Sequence, residues 1–176
     1  IKNAELRVLQ AQINPHFLYN TLDMIHWFAE ENMVTEIDTA VNSLATFYRI
    51  SLSNGKEQIR LKDELAQVEA YIRLQNLRFE NTIQYNCQIE QRFMNQPIIK
   101  MILQPLVENA VFHGIEPALR KGTLFIGARV QEGRLLITIQ DDGIGIPPEQ
   151  FAQLQEHLAD ISFINTYSQQ HVGILN

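Results

Sequence analysis

Leu135-Leu136-Ile137-Thr138-Ile139-Gln140-Asp141-Asp142-Gly143-Ile144-Gly145 is the stretch that decides how the second half of this chain folds. In an extended segment successive side chains point to opposite faces, so Leu135, Ile137 and Ile139 share one side, and the same parity carries Asp141 inward. A carboxylate aimed at a core is costly unless it meets a donor, because its ionised form only accepts hydrogen bonds. Gly143 and Gly145 then let the backbone turn and approach a partner closely. The bare pattern also describes a surface turn with solvated acids; the inward parity of Asp141 favours the buried reading.

Working outward, a strand over 123–130 pairs with the strand over 134–141 through a tight turn at Glu132-Gly133. Ile83, Tyr85, Cys87 and Ile89 alternate as a half-buried strand, and a helical segment is expected from Pro97 through Pro105 to His113. Helical residues near Glu149 to Leu158 and a polar, aperiodic tail follow. Strands mixed with helices indicate an α+β sandwich.

The first half is helical. Leu6, Leu9, Ile13 and Phe17 form one stripe of a helix over 2–31, widened by Leu22, Ile25, Trp27 and Phe28. A second helix is expected to start near Thr35 as its cap, with Ile37, Val41, Leu44, Tyr48 and Leu52 as its stripe. Ser53-Asn54-Gly55-Lys56 reads as a break and hinge before a third helix from Leu61 to Phe79 that buries Leu65, Val68 and Ile72. Stripes wider than one partner helix covers predict pairing of two such hairpins into a four-helix bundle, hence a homodimer. The alternative is that the third helix covers the stripe within one chain. The expected division is a dimerisation hairpin over 1–56, a connecting helix over 57–80 and a sandwich domain over 81–176.

Within the first helix lies Asn14-Pro15-His16-Phe17-Leu18-Tyr19-Asn20. A proline inside a helix costs about 3 kcal/mol, so either a local bend presents His16, or the helix simply begins at Pro15 with Asn14 as its cap. Leu106-Val107-Glu108-Asn109-Ala110-Val111-Phe112-His113-Gly114 supplies a third distinctive box. Together the three resemble, in order and approximate spacing, the sensor histidine kinases of bacterial two-component systems, in the LytS-like subfamily with an NPHFLYN box. The resemblance covers nearly the whole chain.

That resemblance implies that His16 is the phosphoacceptor and that the second domain has the Bergerat ATP-binding fold. Asp141 would then accept a hydrogen bond from the adenine amino group, with Gly143 and Gly145 beside the base. Asn109 would hold Mg²⁺, a cation that prefers oxygen ligands. His113 falls near the phosphates in the family, though it reads equally as a helix C-terminal residue capped by Gly114. Gly173 matches the glycine that ends the ATP lid, while His171 stands where the pattern has another glycine. Asn20, one turn after His16, either orients the imidazole or is a solvated helix residue.

Two departures limit the analogy. Pro105 occupies the place of the glutamate that activates water in hydrolysing relatives, which counts against the alternative of an ATPase cycle. Phe17 replaces the acid that follows the acceptor in many kinases, so the proton acceptor is unassigned. A non-catalytic nucleotide-binding dimer module is the other alternative.

A net charge of −6 argues against direct nucleic-acid binding, since phosphate neutralisation needs a basic surface. The single Cys87 rules out an internal disulfide and suits a reducing compartment. His26, His157 and His171 fit no metal spacing. The sequence has no apolar run of about 18 residues, the length a membrane span needs. Beginning at Ile1, it reads as an excised segment, and the resemblance implies the cytoplasmic portion of a bacterial inner-membrane sensor. The resemblance implies a membrane-anchored region upstream, further helix and strands downstream, and a response-regulator receiver domain as phosphate recipient.

Overall fold

The computed structural model describes residues 15–52, 57–80 and 82–152. Helix α1 spans Pro15–Glu30 and α2 spans Val34–Ser51, and the two pack side by side as a hairpin. Asn32 closes the turn between them in the left-handed region (φ 57°). The Asn32 N–H donates to the Ala29 carbonyl (3.2 Å) and the Met33 N–H to the Phe28 carbonyl (2.8 Å), so the last carbonyls of α1 are satisfied by a Schellman turn. This turn also starts α2 two residues earlier than a Thr35 cap would. Met33 is the cap residue and offers no side-chain bond, and the Thr35 hydroxyl makes no cap.

Helix α3, Leu61–Arg78, is the centre of the molecule. Leu65, Val68 and Ile72 are buried as expected, but so are Glu64, Gln67, Tyr71 and Gln75, because α3 is covered by α2 on one side and by the sheet layer on the other. The face of α2 that meets α3 carries Ala40, Ser43, Phe47 and Ser51. The expected stripe on α2 is only partly covered: Val41 is 48% and Leu52 37% exposed, and on α1 Leu22 is 46% and Trp27 52% exposed. The third helix thus covers one face of the hairpin and leaves a second apolar face open. The segment 53–56, read as a hinge, and residues 1–14 lie outside the described residues, so whether Pro15 bends a longer helix rests on positions not described.

Three strands form the main sheet in the order β2-β4-β5: β2 (Ile83–Gln88) runs parallel to β4 (Gly122–Gln131), which pairs antiparallel with β5 (Arg134–Asp141). Both residues of the β4-β5 turn have positive φ, Glu132 at 52° and Gly133 at 75°, the geometry that suits the twist of a two-residue hairpin. Asn76 on α3 fixes where β2 starts. Its side chain accepts the Ile83 N–H (2.9 Å) and donates to the Ile83 carbonyl (2.8 Å).

Between β2 and β4 the chain departs from the expected long helix. Pro97–Ile99 is a short strand, β3, paired antiparallel with β1 (Gln58–Arg60), and helix α4 begins only at Leu103. It runs to Asn109 and continues as a π-helical turn over Ala110–Ile115. Leu61, Leu65, Val68 and Ile72 of α3 pack with Val107, Val111, Ile115, Leu124 and Ile126 in a core that continues into the hairpin through Phe47. Among the described residues no helix is long and apolar enough to cross a membrane.

Candidate functional site

His16 lies exposed on the second residue of α1. Its neighbour Phe17 explains that orientation: the Phe17 ring packs on Phe47 (4.9 Å between centroids) and on Tyr71 (5.5 Å), anchoring this turn to α2 and α3 while the adjacent imidazole faces outward. The Asn20 amide nitrogen lies 3.3 Å from both imidazole nitrogens, a contact over the ring edge that favours neither nitrogen. Phe17 and Asn20 also line a small groove between α1 and α3 with Thr21, Met24, Leu74, Gln75 and Arg78.

The second part of the site is a corner where the π-helical turn after α4 meets the end of β5. Leu136 is part-buried and breaks the alternation near the start of β5, but from Ile137 it holds to the last residue. Leu135, Ile137, Ile139 and Asp141 are part-buried, whereas Thr138 and Gln140 are exposed. The Asp141 carboxylate accepts the Gly143 N–H at 2.9 Å and retains further acceptor capacity. Gly114 and Gly143 make this corner possible. A Cβ at Gly114 would fall 2.5 Å from Asp141 Oδ1, and one at Gly143 would fall inside the Gly114 backbone. The Ile144 N–H donates to the Gly114 carbonyl at 3.0 Å, stitching helix to loop.

Gly114 is therefore no helix C-cap. The chain continues helically through Ile115, and glycine is needed at 114 for close approach. At Gly143 likewise the close partner is the Gly114 backbone, which the sequence did not disclose. Gly145 is the position that needs conformational freedom, with φ at 73° and open space for 4 Å around the place a Cβ would take.

Asn109 and His113 are both exposed, on either side of the junction between α4 and the π-helical turn. Pro105 is exposed, and the neighbouring Glu108 accepts a hydrogen bond from the Gln104 amide (3.0 Å). Gly173 and His171 lie outside the described residues. The structure thus gathers Asn109, His113, Asp141, Gly143 and Gly145 on two adjoining elements, while His16 stands apart on the hairpin.

Sequence reading missed the residues that brace this corner. Asp142 accepts the Thr123 N–H at 2.7 Å and lies 3.7 Å from Arg120, whose guanidinium also donates to the Asp142 carbonyl. Glu64, 1% exposed, accepts the N–H groups of Met101 (2.6 Å) and Leu103 (3.1 Å) at the start of α4. Burial pushes the Glu64 carboxyl above its ordinary range, opposed by these backbone donors and the Lys100 charge. An acid within the apolar spacing of Leu61, Leu65 and Val68 was the available signal.

The donor set fits the groups the site would hold. Asp141 offers a part-buried carboxylate with acceptor capacity to spare, a partner suited to an amino-bearing base. Asn109 offers an exposed carboxamide oxygen of the kind Mg²⁺ takes alongside phosphate oxygens.

Residues 4–83 match the histidine kinase family, and residues 94–174 match the family of histidine kinase-, DNA gyrase B-, and HSP90-like ATPases. The chain is 39% identical over 146 residues to the sensor histidine kinase YesM of Bacillus subtilis, covering 83% of this chain and 25% of YesM. It is 34% identical over 161 residues to the sensor histidine kinase BtsS of Escherichia coli (91% of this chain, 28% of BtsS). It is 35% identical over 174 residues to the E. coli sensor histidine kinase YpdA (98% and 29%). The chain therefore spans about a quarter to a third of the length of these curated relatives.

Proposed function

This chain belongs to the sensor histidine kinases, with a histidine kinase hairpin followed by an ATP-binding domain, and from that premise we propose that it binds Mg·ATP at the Asn109–Asp141 corner and transfers phosphate to His16. The observation that carries the reading is the close approach of Gly114 to Gly143, which seats the part-buried Asp141 carboxylate against the π-helical turn with acceptor capacity to spare. When bound, Mg·ATP supplies the transferable phosphoryl group with part of its charge neutralised.

The chain's own residues do the rest by positioning. Asp141 accepts the base amino group and sets the register of the nucleotide. Asn109 gives an oxygen to the metal. His113, exposed one turn beyond, would lie near the phosphates, as its match to the family position implies. His16 offers a ring nitrogen as nucleophile, and its exposure on α1 leaves that nitrogen open to an approaching phosphoryl group. Asn20 orients that ring. Phe17, packed in the aromatic cluster, keeps the helix turn rigid beneath it.

His16 belongs to the hairpin and the nucleotide corner to the sandwich, so transfer requires the two parts to dock, within a chain or across a dimer. The homodimer is supported by the open apolar face of α1 and α2, including Leu22, Trp27 and Val41. The phosphoryl group then passes to an aspartate of a response-regulator receiver domain. The chain covers only part of longer sensor histidine kinases, which supports placing it as one portion of a larger sensor; we assign it to the cytoplasmic side of a bacterial inner membrane, with domains bounded near 56 and 80.

Incubation of the full chain with γ-labelled ATP and Mg²⁺ should give acid-labile phosphoprotein that is absent in His16→Ala. Label persisting in that variant overturns the assignment. Steady phosphate release without labelled protein would favour an ATPase cycle instead. Replacing Leu22 and Trp27 by Ser should convert a dimer to a folded monomer in analytical ultracentrifugation.

A further inference from the structure

Helix α4 carries Asn109 at its end, so whatever fixes the start of α4 fixes where that carboxamide stands. The helix cannot do this alone. Its cap residue, Ile102, makes no side-chain bond to the first turn, and Pro105 within that turn has no N–H to anchor. Just before it, Met101 is held in the left-handed region at φ 62°, a conformation that a side-chain-bearing residue keeps only when its surroundings impose it.

What imposes it comes from α3. Both oxygens of Glu64 are used, one on the Met101 N–H and the other on the Leu103 N–H, and the side chain is all but sealed from solvent. One turn along α3, the buried Gln67 amide donates to Ser51 Oγ at the end of α2 (2.7 Å) and touches Met101 Sδ (3.5 Å). Ser51 in turn donates to the Phe47 carbonyl, and the Phe47 ring packs on Phe17, the neighbour of His16. A continuous bracket of named contacts therefore runs from the hairpin to the first turn of α4.

We infer that Glu64 is a positioning residue for phosphoryl transfer: with Gln67 and Ser51 it sets the start of α4 against the hairpin, and so sets the place of Asn109 relative to bound nucleotide. The inference rests on the reading of the Asn109–Asp141 corner as the Mg·ATP site. Glu64 touches neither nucleotide nor reacting atoms; it acts through the α4 backbone. A carboxamide of the same shape would turn one of its two acceptors into an N–H₂ facing a backbone N–H, and the first turn of α4 must then shift.

The test uses the full chain and a fluorescent trinitrophenyl-ATP probe with Mg²⁺, below the melting temperature of every variant. Glu64→Gln should fold, by circular dichroism, and bind the probe about tenfold more weakly, as a displacement of order 1 Å permits. Val68→Ala, a core truncation on the same helix, should lower the melting temperature at least as much yet leave probe affinity within about twofold. Wild-type affinity in folded Glu64→Gln overturns the inference, as does an equal loss in Val68→Ala.

Should Glu64→Gln fail to fold, hydrogen exchange of the Met101 and Leu103 amides in the unsubstituted chain decides. Coupling is reciprocal, so nucleotide must slow their exchange, and unchanged exchange on saturation overturns the proposal. An unsubstituted chain that binds no nucleotide sinks the reading of the corner itself, a result distinct from an unsubstituted chain that binds and a variant that binds equally well.

Discussion

The surroundings of His16 and those of Asp141 are built on opposite principles. His16 stands exposed on a helix, touched by Asn20 and steadied from behind by Phe17. Asp141 stands where helix and loop backbones meet so closely that neither Gly114 nor Gly143 has room for a methyl group. On the proposed reading, a group that must meet a moving donor and then a second protein has to be open to both. If Asp141 recognises the base, as proposed, a rigid, pre-formed corner serves it, because ordering it at the moment of binding would cost affinity. Substitutions in the crowded corner should therefore be severe, and those around His16 mild for stability but visible in chemistry.

The largest effect is expected from Gly143→Ala. A Cβ there meets backbone, which cannot swing aside as a side chain can, so we expect a loss of at least about 3 kcal/mol and no measurable nucleotide binding by calorimetry. Near-normal binding would mean that the corner is looser than its geometry. Gly114→Ala presses mainly on the Asp141 carboxylate, which can rotate; about 1–3 kcal/mol in chemical denaturation is expected, with weakened nucleotide affinity as Asp141 is displaced.

Asp142→Ala sharpens the contrast at smaller cost. It removes the acceptor of the Thr123 N–H and the neighbour of Arg120 at an exposed position where water can substitute, so about 1 kcal/mol is expected. On the hairpin, Asn20→Ala should change the unfolding free energy by no more than about 0.5 kcal/mol, yet alter the lifetime of phosphate on His16 in a chase experiment. An unaltered lifetime would return Asn20 to the role of a solvated helix residue.

The smallest expected effect is a pH trend at Glu64. Burial raises its folded-state pKa above the ordinary 4.5, so the folded chain holds this proton more tightly than the unfolded chain. The Glu64 contribution to stability is then greatest below the unfolded value and declines as pH rises through the folded one. Denaturation from pH 4 upward should show the unsubstituted chain losing ground relative to Glu64→Gln. The opposite slope would mean that the backbone donors at Met101 and Leu103 outweigh burial.

Much of this was legible in order. Period-two alternation marked β2 and β5, because that pattern reports a single buried face, and the Glu132-Gly133 turn marked the pairing of β4 with β5. Inward parity held as far as Asp141. Period alone failed for the helix expected from Pro97 to His113, which a short strand, a start fixed by a distant helix and a π-helical turn reaching Ile115 replace. It failed at Thr35 too, where a backbone turn ending α1 set the start of α2.

By itself the sequence determined the two-part organisation, the helical hairpin, the strand hairpin and the family, because each is written in local spacing or in contiguous motifs. Only the tertiary structure decided that Gly114 and Gly143 serve each other, that Asp142 braces Thr123 and that Glu64 holds the start of α4. Those partners are separated by 19 to 39 positions along the chain. No periodicity encodes a contact between residues that meet only after the core between their elements has closed.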